Sequence, residues 1–238
     1  QAAQAATNTI PVLGTSVTEY GVALGLTDFD GTVGGNISGT SDLAPLDQQA
    51  AMIQELFPDA KNIGLLYCSA EANSQYQVDE MTKYLTELGL TVEAILLTHG
   101  HFDHVGAVRE IAADTGCKVY LCAEDLSLPP QLTAGKLYYT DTYGEGTKLH
   151  LAGLEMTVLH TPGHTPGSVC LRTEGALFSG DTLFAGSCGR TDLPGGSWEQ
   201  MTASLKRLAA IPENLWVLPG HGETSTLDSE KKYNPYLR

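Results

Sequence analysis

The stretch richest in metal-binding side chains is THGHFDH, residues 98–104, which holds three histidines and one aspartate. Neither a helical stripe nor one face of a strand explains the spacing of His99, His101, Asp103 and His104 as core packing. Imidazole and carboxylate groups together suit Zn²⁺ and neighbouring divalent metals. Because one short segment cannot surround a cation, the remaining ligands are expected further along the chain.

Three later motifs each present one more metal-binding side chain in a tight turn. His164 lies in HTPGHTPGS, Asp181 in FSGDTLF and His221 in LPGHG. Glycine and proline beside them let the backbone turn sharply and then hold its direction. Taken singly, each would more often be a hydrogen-bonded loop residue or a turn former, so the prediction depends on the whole set. That set suffices for two adjacent metals with one bridging carboxylate and an open position for water.

Apolar periodicity predicts the elements that position these motifs. A strand over 61–68, a helix over 73–88 and a strand over 91–98 form a βαβ unit, which places His99 at the carboxyl end of a strand. The other predicted helices cover 45–57, 105–116 and 197–211, and the other strands cover 118–123, 154–160, 168–173, 175–180 and 215–220. His150 is expected on the surface, and His160 is expected near the ligands rather than among them.

Composition excludes some classes of protein. The 238 residues carry a net charge of −15, with 13 basic against 28 acidic residues, which argues against a nucleic-acid partner. No apolar run reaches the length of a membrane span, so no membrane partner is expected. The five cysteines are odd in number and include no C-x-x-C, which is typical of free thiols in a reducing cytoplasm. We therefore expect a cytoplasmic protein, and the oligomeric state is left open.

Residues 91–238 resemble the metallo-β-lactamase superfamily, and in particular its glyoxalase II-like thioester hydrolases. The resemblance is carried by H-x-H-x-D-H at residues 99–104, by the three later motifs, by GRTDLPGGS at 189–197 and by the ending KKYNPYL. It implies two metal sites, with Zn²⁺ expected and iron or manganese as alternatives. The ligands implied for one metal are His99, His101 and His164; those for the other are Asp103, His104 and His221, with Asp181 bridging.

The reaction implied by this resemblance is hydrolysis of a small-molecule thioester, with a glutathione thioester as the family-level expectation. Two divalent ions sharing a water lower its pKa, so hydroxide becomes available as the nucleophile. Asp103 could orient that hydroxide, and Arg190 is the nearest basic candidate to bind a substrate carboxylate. Alternatives on the same fold are lactone or β-lactam hydrolysis and iron-dependent persulfide oxidation.

Residues 1–93 resemble a different family, the substrate-binding proteins of ABC transporters. IPVLGTSVTEY, GGNISGTSDLAPLDQQ and PDAKNIGLLYCSAEANSQYQ carry this resemblance. It covers only a middle slice of that family, so binding of a solute through Ser16, Thr18 or Ser74 is the weaker hypothesis. A solute-binding module with a vestigial metal site and a catalytically silent hybrid remain alternatives to an active hydrolase.

The predicted fold is therefore α/β: a metallo-β-lactamase-like αββα sandwich whose N-terminal half is replaced by a Rossmann-like fragment. The N-C-Y turn and the I-D-P-G strand end of the hydrolase family are absent, which suggests a chimera, natural or engineered. The expected parts are residues 1–93 and 94–238, packed as one globular unit. Where the family has an aspartate beside the ligands, this chain offers Cys68, Ser69, Ala70 or Glu71, and loss of such a partner weakens metal binding about 10–100-fold.

Overall fold

The computed structural model divides the chain into two compact units. One unit comprises residues 1–59 and 71–88, and the other comprises residues 60–70 and 89–238. Within the described part of the chain, no helix is long and apolar enough to cross a membrane. The residues that the structure describes are 6–7, 9–27, 29–41, 43, 45–56, 62–63, 72–106, 108–133 and 135–237.

The first unit combines two parallel strands with three helices. Its elements are β1 (Val12–Val17), α1 (Tyr20–Leu24), β2 (Ile37–Ser41), α2 (Leu46–Leu56) and α3 (Ala72–Glu87). The helices predicted at 45–57 and 73–88 are confirmed to within one residue at each end. Leu46, Ala50 and Leu85 are buried, as their spacing predicts, whereas Phe57 lies outside the described residues. The replacement of the hydrolase's first strands by a Rossmann-like fragment stays a prediction.

A three-stranded parallel sheet opens the second unit. Its order is β5-β6-β7, built from β5 (Ala94–Leu96), β6 (Lys118–Cys122) and β7 (Asp141–Tyr143). The strand predicted over 91–98 is interrupted: β4 (Thr91–Val92) pairs instead with β3 (Asn62–Ile63) in a separate two-stranded sheet. The interruption falls at Glu93, whose carboxylate accepts a hydrogen bond from the backbone N–H of Ala152 at 2.8 Å.

Two short helices, α4 (Phe102–Val105) and α5 (Val108–Thr115), connect β5 to β6. The sequence predicted one helix over 105–116, preceded by a loop that carries the metal-binding residues. The structure corrects this prediction, since Asp103 and His104 lie on α4, where the His104 N–H donates to the His101 carbonyl at 2.9 Å. Asp103 lies in the first turn of α4, where a negative charge interacts favourably with the free backbone N–H groups at the start of a helix.

A six-stranded sheet forms the rest of the second unit, in the order β15-β14-β11-β10-β9-β8. Its pairs are antiparallel except for β11 and β14. Its strands are β8 (Lys148–Leu151), β9 (Leu154–His160), β10 (Val169–Arg172), β11 (Ala176–Gly180), β14 (Trp216–Pro219) and β15 (Ser225–Thr226). A hairpin of β12 (Leu183–Phe184) and β13 (Ser187–Cys188) follows β11.

Helix α6 (Trp198–Ala209) covers the core of this sheet. The Ser197 hydroxyl caps it by accepting from the Gln200 N–H at 3.3 Å. Met201, Leu205 and Leu208 are completely buried, so the inner face predicted from their spacing is confirmed. A final helix, α7 (Leu227–Tyr233), follows β15.

Candidate metal centre

The ends of two neighbouring strands bring together two of the predicted ligands. Strands β11 and β14 are parallel, and the backbone N–H of Gly220 donates to the carbonyl of Gly180 at 2.9 Å. Asp181 and His221 come directly after these two glycines, so both side chains begin at the same edge of the sheet. A side chain at Gly220 would collide with the Asp181 carboxylate and the His104 ring, which explains the glycine in LPGHG.

A hydrogen bond joins the three-stranded sheet to β10 beside the site, since the Val169 N–H donates to the Thr98 carbonyl at 2.9 Å. Within the three-stranded sheet, the buried Tyr143 hydroxyl of β7 donates to the Leu97 carbonyl at the end of β5 at 2.6 Å. Together these bonds fix the segment that begins at His99 and place it beside the start of β10, which follows the loop that carries His164. Residues far apart in sequence are thereby brought within contact distance.

The nitrogen atoms of the histidines face one another at short range. His101 Nδ1 lies 2.8 Å from His164 Nε2, and His104 Nε2 lies 3.2 Å from His221 Nε2. The rings of His99 and His104 are 4.0 Å apart between centroids. Ligand atoms of His99, His101 and His164 lie within 4.8 Å of one another, as do those of His104, Asp181 and His221.

Asp181 lies between these two groups. Its Oδ2 is 3.5 Å from His164 Nε2 and 3.5 Å from His221 Nε2, and its Oδ1 is 3.5 Å from His104 Nε2. Asp103 contributes a second carboxylate, with Oδ2 3.3 Å from His221 Nε2. The structure therefore brings together all seven side chains that the sequence singled out, and their roles as metal ligands stay a prediction.

Buried polar atoms without hydrogen-bond partners show that a cation fits this group. His99 Nε2, His101 Nε2 and Asp181 Oδ1 are inaccessible to solvent and have no hydrogen-bond partner. A buried polar atom left without a partner costs about 1–3 kcal/mol. A divalent cation would satisfy such nitrogen and carboxylate lone pairs together, and the donor set is one that Zn²⁺, iron and manganese accept.

Four of the five histidines of the centre are held in the neutral form that binds metal. Burial lowers the pKa of His101 to about 4, and the neighbouring His164 adds to this effect. Burial also lowers the pKa of His104 to about 4, and the pKa values of His99 and His164 fall for the same reason. The contacts of these histidines with Asp103 and Asp181 are therefore not charge pairs at neutral pH.

The pKa of Asp181 is shifted upward, in contrast to those of these four histidines. Burial raises its pKa to about 7, the charge of Asp103 raises it further, and His221 lowers it. In the metal-free protein this carboxyl therefore carries a proton over part of the physiological pH range. A cation bound beside it would displace that proton, because metal ligands must be deprotonated.

The sequence analysis proposed that the Arg190 side chain binds a substrate carboxylate, and the structure shows in addition that the Arg190 backbone carbonyl contacts His164. The Arg190 carbonyl lies 2.8 Å from His164 Nδ1, which directs the other ring nitrogen, Nε2, toward His101 and Asp181. The exposed Arg190 guanidinium makes two 2.7 Å hydrogen bonds to Asp192. Binding of a substrate carboxylate by Arg190 stays a prediction, and it requires the guanidinium to exchange or share this partner.

Asp125 is a buried residue of the site that sequence reasoning missed. Its carboxylate accepts from the backbone N–H of Gly100 at 2.7 Å and of Gly167 at 2.6 Å, and from the Thr165 hydroxyl at 3.0 Å. It thus holds the segment between His99 and His101 and the loop after His164 in one arrangement. Its signal in the sequence is weak, since it is an aspartate two residues beyond a predicted strand.

The remaining predicted positions have other surroundings. The His150 side chain is 75 % exposed and lies 3.2 Å from Glu155, so its surface location is confirmed. His160 lies outside the seven-residue group, with Nε2 2.8 Å from the Pro166 carbonyl. Thr18 accepts a long 3.5 Å hydrogen bond from Gln77. The residues proposed to replace the family's aspartate (Cys68, Ser69, Ala70 and Glu71) lie outside the described residues, as do the side chains of Ser16 and Ser74.

Comparison with known families agrees with this geometry. Residues 68–221 match the model of the metallo-beta-lactamase superfamily, and the chain belongs to that superfamily. Residues 1–121 match the model of the ABC transporter substrate binding proteins, which supports the predicted fusion of the two kinds of sequence. The two matched ranges overlap, so they mark no sharp junction.

Individual relatives cover about two thirds to three quarters of the chain. The hydroxyacylglutathione hydrolase GloC of Haemophilus influenzae is 32 % identical over 197 residues, covering 76 % of this chain and 90 % of that protein. The B3 metallo-beta-lactamase BLEG-1 superposes with a TM-score of 0.63 and 34 % identity, over 74 % of this chain and 89 % of its own. TTHA1623, solved in a di-iron-bound form, gives a TM-score of 0.58 and 39 % identity, over 67 % of this chain and 85 % of its own. The metallo-β-lactamase α/β fold is therefore confirmed.

Proposed function

We propose that the chain is a binuclear metal-dependent hydrolase of thioesters, with an acylated glutathione as the first substrate class to test. The observation that carries this proposal is the convergence of seven histidine and aspartate side chains, three of whose buried atoms lack any hydrogen-bond partner. The similarity to the hydroxyacylglutathione hydrolase of Haemophilus influenzae supports the choice of substrate.

In this proposal each side chain has a defined part. His99, His101 and His164 would hold one cation, Asp103, His104 and His221 would hold the other, and Asp181 would be shared between the two. Its central position, 3.5 Å from both His164 and His221, supports the bridging role. Bound cations would lower the pKa of water and polarise the substrate carbonyl. Zn²⁺ is the expected metal, and the di-iron form of TTHA1623 makes iron the principal alternative.

The chain's own residues prepare the reaction in three ways. Burial keeps His101 and His104 neutral at working pH, so their lone pairs stay available. Asp125 and the Arg190 carbonyl fix the backbone and ring orientation of the ligands. Asp103, which is only partly buried, would also orient the attacking hydroxide. The thioester C–S bond then breaks, and a carboxylic acid and a thiol are released.

The test is hydrolysis of S-D-lactoylglutathione by the full chain loaded with Zn²⁺, iron or manganese. Release of free thiol that is abolished by His101→Ala and retained by His150→Ala would support the proposal. His150 is a suitable control because its side chain is exposed and lies against Glu155, which is not one of the seven residues of the centre. A well-folded, metal-loaded chain that turns over a lactone, a β-lactam or a persulfide, but no thioester, would replace it with the corresponding alternative. Metal loading without any turnover would favour the catalytically silent hybrid.

A further inference from the structure

A second set of metal-binding side chains lies outside the histidine–aspartate centre, and we propose that Cys122, Glu124 and His160 form a site for one thiophilic divalent cation such as Zn²⁺. Cys122 ends β6, Glu124 follows in a 3₁₀ turn (Ala123–Ser127), and His160 ends β9. One ligand atom from each of the three lies within 4.8 Å of the others. The Cys122 Sγ already lies 3.0 Å from the Glu124 carboxylate.

The hydrogen bonds of His160 leave one ring nitrogen free for a cation. Its Nε2 lies 2.8 Å from the Pro166 carbonyl, and since a carbonyl can only accept, Nε2 carries the proton and Nδ1 keeps its lone pair. Histidines that bind metal commonly donate their other N–H to a carbonyl in this way. The backbone is held as well, because the His160 N–H donates to Glu145 at 2.8 Å and its carbonyl accepts from Arg207 at 3.0 Å.

The mixture of ligands favours zinc over a hard cation. Cysteine thiolate, imidazole and carboxylate are all common zinc ligands, and water can fill a fourth position. Tetrahedral ligands at about 2.0–2.3 Å from Zn²⁺ lie roughly 3.3–3.8 Å from one another, so side-chain rotations that draw the three ligand atoms together would complete the site. Cys122 is fully buried and Glu124 is exposed, so a cation can enter from the glutamate side.

Binding requires the thiol to lose its proton. Burial, helped by the neighbouring Glu124, raises the pKa of Cys122 to about 12 in the metal-free protein. The cation therefore replaces the thiol proton, which leaves to solvent as the metal–sulfur bond forms. The bound cation would tie the end of β6 to the end of β9. It would also restrain the loop from His160 to Gly167, which carries His164, so we expect a structural rather than catalytic cation.

Cobalt provides a probe that separates this site from the main centre. Co²⁺ bound to a thiolate gives a strong ligand-to-metal charge-transfer absorption in the near ultraviolet, whereas histidine and aspartate ligands give only weak visible bands. Titration of the metal-free full chain with Co²⁺ is expected to produce this charge-transfer band with one equivalent of the bound metal. Cys122→Ser should abolish the band and keep the visible bands of the main centre.

Matched variants complete the test. His160→Gln keeps a donor for the Pro166 carbonyl but removes the free nitrogen, and should weaken Co²⁺ binding at this site about 10-fold or more. Cys170→Ser should leave the band intact, since Cys170 is equally buried but bonds to Thr161 and the Ser179 carbonyl. Absence of the band at saturating Co²⁺, or a band that survives Cys122→Ser, would overturn the proposal. If Cys122→Ser does not fold, loss or persistence of the band on Glu124→Ala decides instead.

Discussion

The two units of the chain use their polar side chains differently. In the first unit the described side-chain hydrogen bonds go mainly to backbone groups: Glu19 caps α1 by accepting from the Gly21 and Val22 N–H groups, and Asn36 donates to the Ile10 carbonyl. The first 60 residues contain no lysine, arginine or histidine. In the second unit, buried histidines and aspartates from distant segments converge on one another.

This difference between the units indicates which of them holds a functional site. Buried groups that repel or lack partners are costly, so a cluster of them indicates a place where a ligand or a reaction uses them. Such groups occur around Asp181 in the second unit. Among the described residues of the first unit, Thr82 has the one buried side-chain polar atom without a partner, and a single hydroxyl defines no site.

The largest effect should come from the residue at the middle of the centre. Asp181→Asn keeps the size of the side chain but removes the charge shared between the two histidine groups, so thioester hydrolysis should fall by more than about 100-fold, the upper range for loss of a mere outer partner. Asp228→Asn is the matched control, because the Asp228 side chain is exposed and pairs with Lys231 at 3.5 Å on α7. Comparable losses in both variants would mean that the centre around Asp181 does not carry the activity.

Metal should stabilise the two units unequally. A cation whose free concentration is 100 times its dissociation constant stabilises the folded structure that binds it by about 2.7 kcal/mol. Hydrogen exchange should therefore show added protection in β11 and β14, which end beside Asp181 and His221, and none in α2. Equal added protection of α2 would break the distinction between the units.

Asp125 should control metal affinity without touching the metal. Asp125→Asn removes the charge that holds the amides of Gly100 and Gly167, and we expect metal affinity to fall about 10–100-fold with the fold retained. Asp141→Asn is a suitable comparison, since Asp141 is partly exposed and pairs with Lys118 at 3.5 Å. Unchanged affinity in Asp125→Asn would show that the two loops hold their positions without it.

The raised pKa of Asp181 predicts a pH dependence of metal binding. At about pH 6, below its pKa of about 7, this carboxyl is mostly protonated without metal, whereas His101 and His104, with pKa values of about 4, are already neutral. Binding should therefore release about one proton more from the wild type than from Asp181→Asn at this pH. The difference should vanish near pH 8.5, as measured by titration calorimetry in buffers of different ionisation enthalpy. Equal proton release from the two proteins at about pH 6 would contradict the raised pKa of Asp181.

The smallest expected effects are those of the helix caps. Glu19→Ala in the first unit and Ser197→Ala in the second should each lower the free energy of unfolding by about 0.5–2 kcal/mol. Only Ser197→Ala should also weaken metal binding, because loss of the hydroxyl cap loosens the start of α6, where the Ser197 N–H holds the Gly163 carbonyl beside His164. Thermal unfolding with and without metal measures both effects. Metal binding that is weakened in Glu19→Ala but not in Ser197→Ala would contradict the assignment of the metal centre to the second unit.

The sequence predicted local features of the fold well. The helix expected over 197–211 is observed at Trp198–Ala209, because its cap and its apolar spacing are both encoded within the segment. All seven side chains of the centre were also named, since each lies in a motif with turn-forming neighbours. The supposed chimeric origin, the cytoplasmic location and the packing of residues 1–93 and 94–238 as one unit stay predictions.

Features that depend on distant partners could not be predicted. The break at Glu93 depends on Ala152, 59 positions away in the sequence. The role of Asp125 depends on Gly100 and Gly167, which are 25 and 42 positions away. No periodicity or motif contains such information, because these contacts are decided by how the sheets come together.

Metal content per folded chain tests the central claim most directly. It should be measured by inductively coupled plasma mass spectrometry on full-length protein prepared without chelator. A Cys122→Ser background keeps the proposed additional site from contributing. We predict close to two equivalents of zinc, iron or manganese, reduced by His101→Ala and by Asp181→Asn. Near-zero metal on a monodisperse, folded chain that also fails to take up added Zn²⁺ would contradict the account, since the convergent side chains would then form no metal centre.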